Sequence, residues 1–379
     1  MNIAIDIRCL MEKQLTGVGE YTLNLLKQLF AIDNKNEYYL FFNSRKKVES
    51  ILPRFNQKNV HYCGFHWPNK VLNLSLKLLK YPKLDKWIQR KFKIPKIDLF
   101  FFPNISFFAT TCPYLITAHD LSFEFFPEFL SFKRRLWHKI MQPKKIFSEA
   151  THIIGVSENT KTDLVNHYGL DSNKINTIYS GLSENFKTIS PDDSRLQKIK
   201  EQYSLPDKFI LLLGTIEPRK NIQGLIEAYN LLEQTEKELP PLIIVGKLGW
   251  KFKKILKSIS SNSKLHYIRY IRNSEKRYFY NLASLFIYPS FYEGFGFPPL
   301  EAILCGCPVI TSNNSSMLEI CGNKTILIDP NNIQDIADAI KTSLRETPKL
   351  NLEQIKKTFN WTKSAEETLS VINSFFVLE

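Results

Sequence analysis

The chain has 379 residues and a mass of 44.3 kDa, which is enough for two domains of ordinary size. Its 44% hydrophobic and 23% charged residues are typical of a folded globular protein and exclude collagenous and disordered chains. No apolar run approaches the roughly 18 residues of a membrane-spanning helix, and Asp6 and Arg8 interrupt the first apolar stretch, where a signal peptide needs an unbroken one. We therefore expect a protein of the cytoplasm.

The formal net charge is +14 at pH 7, and most of it lies in the first half of the chain. Residues 1–182 contain 26 lysines and arginines against 15 acidic residues, whereas residues 183–379 contain 25 against 22. Residues 70–96 carry nine basic residues and one acidic residue, interleaved with leucine and tryptophan, and residues 133–139 repeat this mixture. The pattern suits peripheral binding to an anionic membrane, such as the inner face of the plasma membrane, and equally suits a solvated lysine-rich surface. Nucleic acid is not expected as a partner, because the sequence lacks helix-turn-helix, RNP-like and zinc-finger patterns.

The six cysteines include no Cys-x-x-Cys pair, so we interpret them as reduced thiols. Cys305 and Cys307 are spaced like half of a zinc site, but no second pair of cysteines or histidines stands at metal spacing. We expect no bound metal.

Strand and helix patterns alternate along the first half of the chain. Residues 2–7 are predicted to form a strand, followed by a glycine-containing turn at residues 17–19 and a helix with Leu23, Leu26, Leu29 and Phe30 on one face. Further strands are predicted at residues 38–42, 99–102, 114–118 and 152–156. Ser157 is a suitable N-cap for a helix that continues to Val165. Such alternation is typical of a parallel sheet with helices on both faces.

The apolar pattern thins at residues 183–206, which we assign to a linker between an N-terminal domain of residues 1–182 and a C-terminal domain of residues 207–350. Five more strands are predicted at residues 209–213, 242–245, 285–288, 308–311 and 325–328, separated by helices such as those at 223–233 and 274–283. Residues 351–379 are predicted to form a C-terminal helix. The sequence thus predicts an α/β protein of two doubly wound domains facing a central cleft, with a ligand at the carboxyl ends of the strands.

Two adjacent cations follow the first strand of the second domain, in the run GTIEPRKN at residues 214–221. Arginine offers a planar fork to phosphate oxygens, lysine offers a point charge, and a helix start offers backbone N–H groups. The arrangement is typical of phosphate binding, although an Arg-Lys pair taken alone would be interpreted as two surface cations.

Two glutamates eight residues apart follow the strand at residues 285–288. Glu293 lies in a glycine-rich loop with Gly294 and Gly296, and Glu301 lies just inside the next helix. The glycines allow a ligand to approach the backbone closely. A carboxylate such as Glu301 can accept two hydroxyl hydrogen bonds, as a ribose diol offers.

These motifs resemble those of glycosyltransferase family 4, whose members are retaining glycosyltransferases of the GT-B fold. Glu293 to Glu301 is similar to the family's E-x7-E motif, and residues 214–221, 288–298 and 312–319 and the pair His119-Asp120 also match its pattern. The resemblance covers essentially the whole chain and is strongest from residue 209 to 330. It implies two Rossmann-like domains, with a nucleotide-sugar donor bound mainly by the second and the acceptor bound mainly by the first.

The resemblance also implies roles for individual residues. Arg219 and Lys220 would bind the donor diphosphate and neutralise charge on the leaving nucleotide, which removes the need for a metal ion or another cofactor. Glu293 would contact hydroxyls of the donor sugar, and Glu301 would hold the ribose. The other donor-binding residues implied by the family are Gly214, Arg269, Ile271, Gly294, Phe295, Gly296 and Phe297.

His119 would lie beside the donor sugar, so that the implied catalytic set is His119, Arg219, Lys220 and Glu293. The N-terminal loop with Gly17 and Gly19 resembles the acceptor-side glycine loop of the family. Retention in this family is explained by attack of the acceptor on the face that the nucleotide leaves, which requires no side-chain nucleophile.

The resemblance therefore implies a metal-independent hexosyltransferase. Its loops are most similar to mannosyltransferase versions, which favours transfer of mannose from GDP-mannose to a surface polysaccharide, such as lipopolysaccharide, or to a lipid-linked oligosaccharide. Two alternatives remain open: a sugar-nucleotide epimerase of the same fold, and a non-enzymatic basic binding protein with a degenerate cleft.

Overall fold

The computed structural model describes residues 1–12, 14–48, 50–345 and 352–375. The chain forms two compact units. The first contains Met1–Leu121, Leu136–Gly181 and the chain from Thr358 onward, and the second contains Ser122–Arg135 and Leu182–Lys357. The units are therefore interleaved in sequence. The boundaries predicted from sequence differ from this division, since they place residues 122–135 in the N-terminal domain and treat the last helical region as separate.

A parallel sheet of seven strands lies at the centre of the described part of the first unit. The strands are β1 (Asn2–Asp6), β2 (Glu37–Asn43), β3 (Val60–Phe65), β4 (Leu99–Phe102), β5 (Tyr114–Ala118), β6 (His152–Gly155) and β7 (Ile175–Thr177). Their order across the sheet is β3-β2-β1-β4-β5-β6-β7, so the direction of winding reverses between β1 and β4. Ligands of doubly wound sheets bind at such a reversal, outside the carboxyl ends of the strands.

The second unit contains, among its described residues, a parallel sheet of six strands. These strands are β8 (Ile210–Leu213), β9 (Leu242–Val245), β10 (Leu265–Ile268), β11 (Leu285–Tyr288), β12 (Val309–Ser312) and β13 (Ile326–Ile328). Their order is β10-β9-β8-β11-β12-β13, and the winding reverses between β8 and β11. The prediction of two doubly wound α/β parts is confirmed.

Helices connect the strands and flank both sheets. In chain order they are α1 (Gly17–Ile32), α2 (Asn69–Leu78), α3 (Leu84–Phe92), α4 (Ser122–Phe125), α5 (Phe132–Met141), α6 (Pro143–Glu149), α7 (Glu158–Tyr168), α8 (Ser194–Gln202), α9 (Ile222–Glu233), α10 (Lys253–Ser260), α11 (Lys276–Leu282), α12 (Phe297–Leu304), α13 (Ser315–Ile320), α14 (Ile333–Ser343), α15 (Leu352–Thr358) and α16 (Trp361–Ser374). Ser157 caps α7 as predicted, since its side chain accepts a hydrogen bond from the backbone N–H of Thr160.

Helix α1 begins earlier than the sequence predicts. The turn predicted at residues 17–19 is wrong, because Gly17 and Gly19 lie in the first helical turn. Thr16 is extended, and its carbonyl accepts the N–H of Glu20 at 2.9 Å, which closes that turn. A Cβ on Gly19 would approach the side chain of Leu15 to 3.0 Å, so close packing favours glycine there.

In two regions the helices differ from those predicted from the sequence. The predicted linker contains α8, whose start is capped by Asp193 and whose Leu196 and Ile199 are buried. The predicted C-terminal helix is instead two helices, α15 and α16, separated at Asn360, whose side chain caps α16. Residue 351 and residues 376–379, which that prediction also covered, lie outside the described residues.

Candidate functional site

The reversal of winding in the second unit brings two of the predicted motifs together. Strands β8 and β11 are neighbours, with Ile210 opposite Leu285 in parallel register. The β8 loop (residues 214–221) and the β11 loop (residues 289–296) therefore lie side by side at the carboxyl ends of these strands. A doubly wound sheet binds its ligand at the carboxyl ends of the strands where the winding reverses.

An ion cluster joins the two loops. Arg219 Nη1 lies 2.8 Å from Glu293 Oε2, and Lys220 Nζ lies 2.6 Å from Glu293 Oε1. Lys220 and Glu293 are 7% exposed, so water screens this contact little. The structure thus brings three of the predicted catalytic residues into direct contact, although 73 positions separate Lys220 from Glu293 in the chain.

Three partners of the ion cluster were missed by sequence reasoning, although each lies in a quoted motif. Glu217 Oε1 lies 2.9 Å from Arg219 Nη2, and the backbone carbonyl of Tyr292 accepts from Arg219 Nη1 at 2.7 Å. Lys220 Nζ donates to the Tyr288 hydroxyl and lies 4.7 Å from the centre of its ring. The two cations are therefore balanced by two carboxylates, which a phosphate-binding interpretation of the Arg-Lys pair alone does not anticipate.

Burial and neighbouring charges set the protonation of this cluster. Burial raises the pKa of Glu293, but the opposing charges of Arg219 and Lys220 outweigh it and lower the pKa to about 2. Burial lowers the pKa of Lys220, and so does the positive charge of Arg219. The negative charge of Glu293 raises this pKa but does not cancel the decrease. Burial, followed by the charge of Glu293, raises the pKa of Tyr288. Glu293 is thus a carboxylate at neutral pH, and Tyr288 is a neutral phenol.

Two serines at the start of α13 hold the β11 loop in place. The backbone N–H of Glu293 donates to Ser315 Oγ at 3.1 Å. Ser316 Oγ donates to the carbonyl of Glu293 at 2.9 Å and to that of Phe295 at 3.1 Å. The run at residues 312–319, which matches the family pattern, therefore fixes the backbone that carries Glu293.

Gly296 requires glycine because its φ of 96° lies in the left-handed region, where other side chains are strained. A Cβ there would also lie 2.0 Å from Met317 Cε and would displace the flexible end of that side chain. Gly296 immediately precedes α12, whose first residue is Phe297. The buried Gly294 and Phe295 complete the turn, with the Phe295 and Phe297 rings 4.9 Å apart. The predicted backbone contacts of a ligand would therefore lie at a helix start.

Glu301 lies on α12 and is 4% exposed. The Tyr280 hydroxyl donates to Glu301 Oε2 at 2.9 Å, and Tyr280 is not part of the ion cluster. Burial and the charge of Glu301 raise the pKa of Tyr280, which keeps this donor protonated at neutral pH. The carboxylate of Glu301 is thus oriented by a side chain that sequence reasoning did not identify.

The remaining predicted donor residues lie on neighbouring strand ends. Gly214 follows β8. A Cβ on Gly246, which follows β9, would lie 1.7 Å from the carbonyl oxygen of Gly214. The ends of β8 and β9 therefore approach this closely only because residue 246 is glycine. Arg269 is exposed and Ile271 is buried just after β10. Strand β10 is at the edge of the sheet, with β9 between it and β8.

His119 follows β5 in the first unit. Its Nε2 lies 2.8 Å from the carbonyl oxygen of Pro103, and its ring is perpendicular to that of Tyr21, with the ring centres 4.8 Å apart. Because a carbonyl only accepts, Nε2 carries the proton and Nδ1 presents a lone pair. Burial lowers the pKa of His119, against the effect of the Pro103 hydrogen bond. Tyr21 lies on α1, the helix that begins with Gly17 and Gly19.

A second ion pair, missed by sequence reasoning, lies where the winding of the first sheet reverses. Arg8, which follows β1, has its Nη2 2.6 Å from Oδ2 of Asp6, the last residue of that strand. The same nitrogen donates at 2.8 Å to Oγ of Ser106, which follows β4. Ser106 Oγ also donates to Asp6 Oδ2 at 3.0 Å. Sequence reasoning used Asp6 and Arg8 only to exclude a signal peptide. Their contact with Ser106 was not predicted, because it depends on the order of the strands in the sheet.

Within the described ranges, no group of three or more His, Cys, Asp or Glu side chains is arranged to hold a metal ion. Across the same part of the chain, no helix combines the length and the apolar character needed to cross a bilayer. Cys305 and Cys307 are buried thiols.

The profile of the family described as Glycosyltransferase Family 4 matches residues 15–186, and that described as Glycosyl transferases group 1 matches residues 193–361. The O-antigen chain mannosyltransferase B of Escherichia coli is 28% identical over 94% of this chain and 95% of its own length.

A second relative is longer than this chain. The serotype-specific mannosyltransferase WbdA of Escherichia coli is 34% identical over 230 residues, which are 58% of this chain and 28% of that protein. Among solved structures, the sucrose-phosphate synthase of Thermosynechococcus elongatus shares the fold over the full length of both chains, with a TM-score of 0.76 at 18% identity. The chain therefore belongs to the GT-B glycosyltransferases of family 4 and is similar to the mannosyltransferases among them.

Proposed function

We propose that this glycosyltransferase moves mannose from GDP-mannose, with retention of anomeric configuration, to a surface polysaccharide or a lipid-linked oligosaccharide. The observation that carries the proposal is the buried cluster of Arg219, Lys220 and Glu293 where the winding of the second sheet reverses. The choice of mannose is supported by the relatives named mannosyltransferases.

The cluster is suited to a leaving diphosphate. Arg219 offers a planar fork and Lys220 a point charge, so negative charge that develops on the departing phosphate meets two cations already in place. In the proposed reaction these side chains supply the charge stabilisation that a metal ion gives elsewhere, and EDTA should leave the rate unchanged. The second unit would thus bind the donor.

Glu293 has a different role from its cationic partners. Both of its oxygens are bound, one by Arg219 and one by Lys220, so it orients the two cations. As a carboxylate with a low pKa it only accepts hydrogen bonds, and it would accept from hydroxyls of the donor sugar. Its paired oxygens disfavour a role as nucleophile. The acceptor hydroxyl would attack on the face that the nucleotide leaves and give its proton to a donor phosphate oxygen.

We assign His119 a contact with the donor sugar, and Glu301 a contact with the ribose. The neutral ring of His119 presents Nδ1 as an acceptor, because Nε2–H is held by the carbonyl of Pro103. An acceptor nitrogen suits a sugar hydroxyl. The first unit, with Gly17 and Gly19 at the start of α1, would bind the acceptor.

The donor is tested by titration of the purified chain with GDP-mannose, UDP-glucose and UDP-N-acetylglucosamine in EDTA, with heat release and thermal stabilisation as readouts. We expect binding of GDP-mannose alone. Preference for a uridine nucleotide would refute the proposed donor. Formation of a new nucleotide sugar in the absence of acceptor would identify an epimerase.

NMR of the product tests retention. We expect an α-linkage between the transferred sugar and the acceptor.

We also propose that the enzyme binds an anionic membrane through α2. Leu72 and Leu76 on this helix are buried in the core of the first unit. On the opposite face Val71, Leu74 and Leu78 are 53%, 60% and 68% exposed, at the spacing of one helical stripe. A stripe of large apolar side chains in water is typical of an interaction surface.

Helix α5 extends this surface. Lys77 of α2 donates to Gln142, just after α5, at 3.3 Å, which brings the two helix ends together. Leu136 and Ile140 of α5 are 46% and 40% exposed. Lys70 in the first turn of α2 and Lys80 just after its end are exposed, and a mixture of cationic and apolar side chains complements anionic headgroups over hydrocarbon. Binding there would place the first unit at the face of the membrane where a lipid-linked acceptor resides.

Vesicle pelleting tests this surface. Leu74→Ser together with Leu78→Ser should abolish pelleting with vesicles that contain phosphatidylglycerol. Ile32→Ser together with Leu231→Ser, which alters exposed apolar residues elsewhere, should pellet like the unaltered chain. Equal pelleting of both double variants would overturn the proposed membrane surface.

A further inference from the structure

Residues 122–135, here called the crossing segment, lie between two parts of the first unit in the sequence but pack in the second unit. The segment begins with α4 and contains a short 3-10 turn at Pro127–Phe129. Its contacts reach the β11 loop and the β9 loop (residues 246–252). These loops flank the β8 loop, which carries Arg219 and Lys220.

Aromatic side chains join the crossing segment to the β11 loop. The ring of Phe129 stacks on that of Phe291 at 5.3 Å, and Phe126 stacks on Phe129 at the same distance. Phe125 and Phe126 lie 5.8 and 5.9 Å from the ring of Tyr292. Such contacts add to the energy of burying the rings, so they hold residues 291 and 292 firmly.

Trp250 joins the crossing segment to the β9 loop. Its indole N–H donates to the carbonyl of Phe129, and the guanidinium of Arg134 lies 4.0 Å from the centre of its ring. The neighbouring Lys251 donates to the carbonyl of Glu128. Trp250 therefore binds the crossing segment in two ways, with its indole N–H and with the face of its ring.

Both flanking loops are bonded to the β8 loop. Ile216 exchanges two backbone hydrogen bonds with the β9 loop, at 2.8 and 3.1 Å. On the other side, the N–H of Phe291 donates to the carbonyl of Arg219 at 2.9 Å, and Arg219 Nη1 donates to the carbonyl of Tyr292 at 2.7 Å. A shift of residues 291 and 292 would therefore move both the backbone and the guanidinium of Arg219.

We propose that Trp250 is a positioning residue of the transfer reaction. By clamping the crossing segment across the β9 and β11 loops, it fixes the carbonyl of Tyr292 and, through that carbonyl, the guanidinium of Arg219. The inference rests on the proposed function, in which Arg219 binds the donor diphosphate. It adds that part of the donor site is built from the first half of the sequence.

Hydrogen exchange tests the clamp without any ligand. Trp250→Phe keeps a ring beneath Arg134 but removes the N–H that donates to Phe129. Tyr229→Phe is the matched control, since Tyr229 is buried in the same unit and its hydroxyl donates to the carbonyl of Pro240 at 2.9 Å. We expect faster exchange at residues 214–221 and 289–296 in Trp250→Phe and no change there in the control.

Donor affinity tests whether the effect passes through Arg219. The energy of one side-chain hydrogen bond corresponds to a change of about three- to tenfold in an equilibrium constant, which is the upper bound for an effect passed from Trp250 to the donor site. We expect the dissociation constant for GDP-mannose to rise by up to this factor for Trp250→Phe in the unaltered chain. In an Arg219→Ala background the same substitution should raise the dissociation constant by a smaller factor, because the guanidinium that it positions is absent while the backbone bond from Phe291 to residue 219 remains.

The outcomes separate this inference from the proposed function. Equal exchange in Trp250→Phe and Tyr229→Phe would overturn the clamp, as would an undiminished effect of Trp250→Phe in the Arg219→Ala background. If Arg219→Ala alone binds GDP-mannose normally, the proposed donor site fails. Failure of the unaltered chain to bind any of the three nucleotide sugars would overturn that site and, with it, the role of Trp250 in the reaction.

Discussion

At the scale of single residues, Glu293 is a buried carboxylate shared by two cations, so its ionisation is coupled to stability. Its pKa lies at about 2 in the folded chain, against an ordinary value of 4.5. The folded state therefore binds fewer protons than the unfolded state between these values. The ionised carboxylate of Glu293 therefore makes its full contribution to stability above about pH 4.5 and loses it as the pH falls towards 2, an effect of roughly 3 kcal/mol.

Thermal unfolding across this pH range checks the coupling. The melting temperature of the unaltered chain should fall more steeply on acidification than that of Glu293→Gln, which carries no titratable group at this position. The variant should also be less stable at neutral pH, because Arg219 and Lys220 would then be buried without their shared carboxylate. Parallel pH profiles for the two chains would contradict the assignment of charge to Glu293.

Lys220→Ala separates catalysis from folding. Glu293 keeps Arg219 in this variant, so we expect the chain to fold while the turnover rate falls by about 10²–10³, the usual effect of losing one preorganised charge-stabilising group. Lys341→Ala is the control, since Lys341 forms an exposed ion pair with Glu236 in the same unit at 2.6 Å. Comparable turnover rates for Lys220→Ala and Lys341→Ala would show that Lys220 has no role in the transfer step.

Sequence reasoning named Arg219, Lys220 and Glu293 individually, and their roles in transfer stay predictions. That they contact one another follows only from the strand order, which places β8 beside β11. Glu217 and Tyr288 stood in the same motifs, but spacing along the chain says nothing of which side chain meets which cation. Sequence reasoning therefore identified residues of the site but not its balance of charge.

At the scale of elements, the strands in the middle of each sheet were predicted closely and three edge strands were missed. The apolar runs of β4, β5, β9 and β11 coincide with their predicted bounds, because strands buried on both faces are continuously apolar. The strands β3, β7 and β10 lie at sheet edges and contain partly exposed or polar residues. Their apolar pattern is too broken to be recognised locally.

The turn between the β11 loop and α12 makes a stability prediction. Gly296→Ala places a Cβ at a φ of 96° and 2.0 Å from Met317 Cε. We expect a loss of about 1–3 kcal/mol in the free energy of unfolding, measured with urea. Gly214→Ala is the control, because a Cβ there would meet its nearest neighbour, the Tyr288 ring, at an ordinary 3.6 Å. A Gly296→Ala chain as stable as this control would contradict the strain.

At the scale of the whole molecule, the two compact units do not follow one another simply along the chain. Helix α16 packs on α1 in the first unit, with Trp361 and Ile372 buried. Trp361 lies so close to Gly181 that a Cβ on the glycine would be 2.2 Å from its backbone nitrogen. A local sequence pattern cannot report such a return of the chain, which is why residues 351–379 were predicted only as a helix of unspecified packing.

Truncation after residue 345 tests this return. Removal of α15 and α16 uncovers buried apolar residues of α1, so we expect a lower melting temperature and aggregation on warming. Trp361→Ala in the full chain should cause a smaller decrease of the same kind. An unaltered melting temperature in the truncated chain would show that α16 does not complete the first unit.

The return of α16 also sets the order in which the protein can mature on the ribosome. Helix α1 leaves the exit tunnel early, but the helix that covers it is translated only after the whole second unit. Once Lys357 has been added, the nascent chain contains every residue of the second unit but not α16, which completes the first unit. During that interval the first unit would present uncovered apolar surface to chaperones, so the half of the enzyme made first is the half completed last.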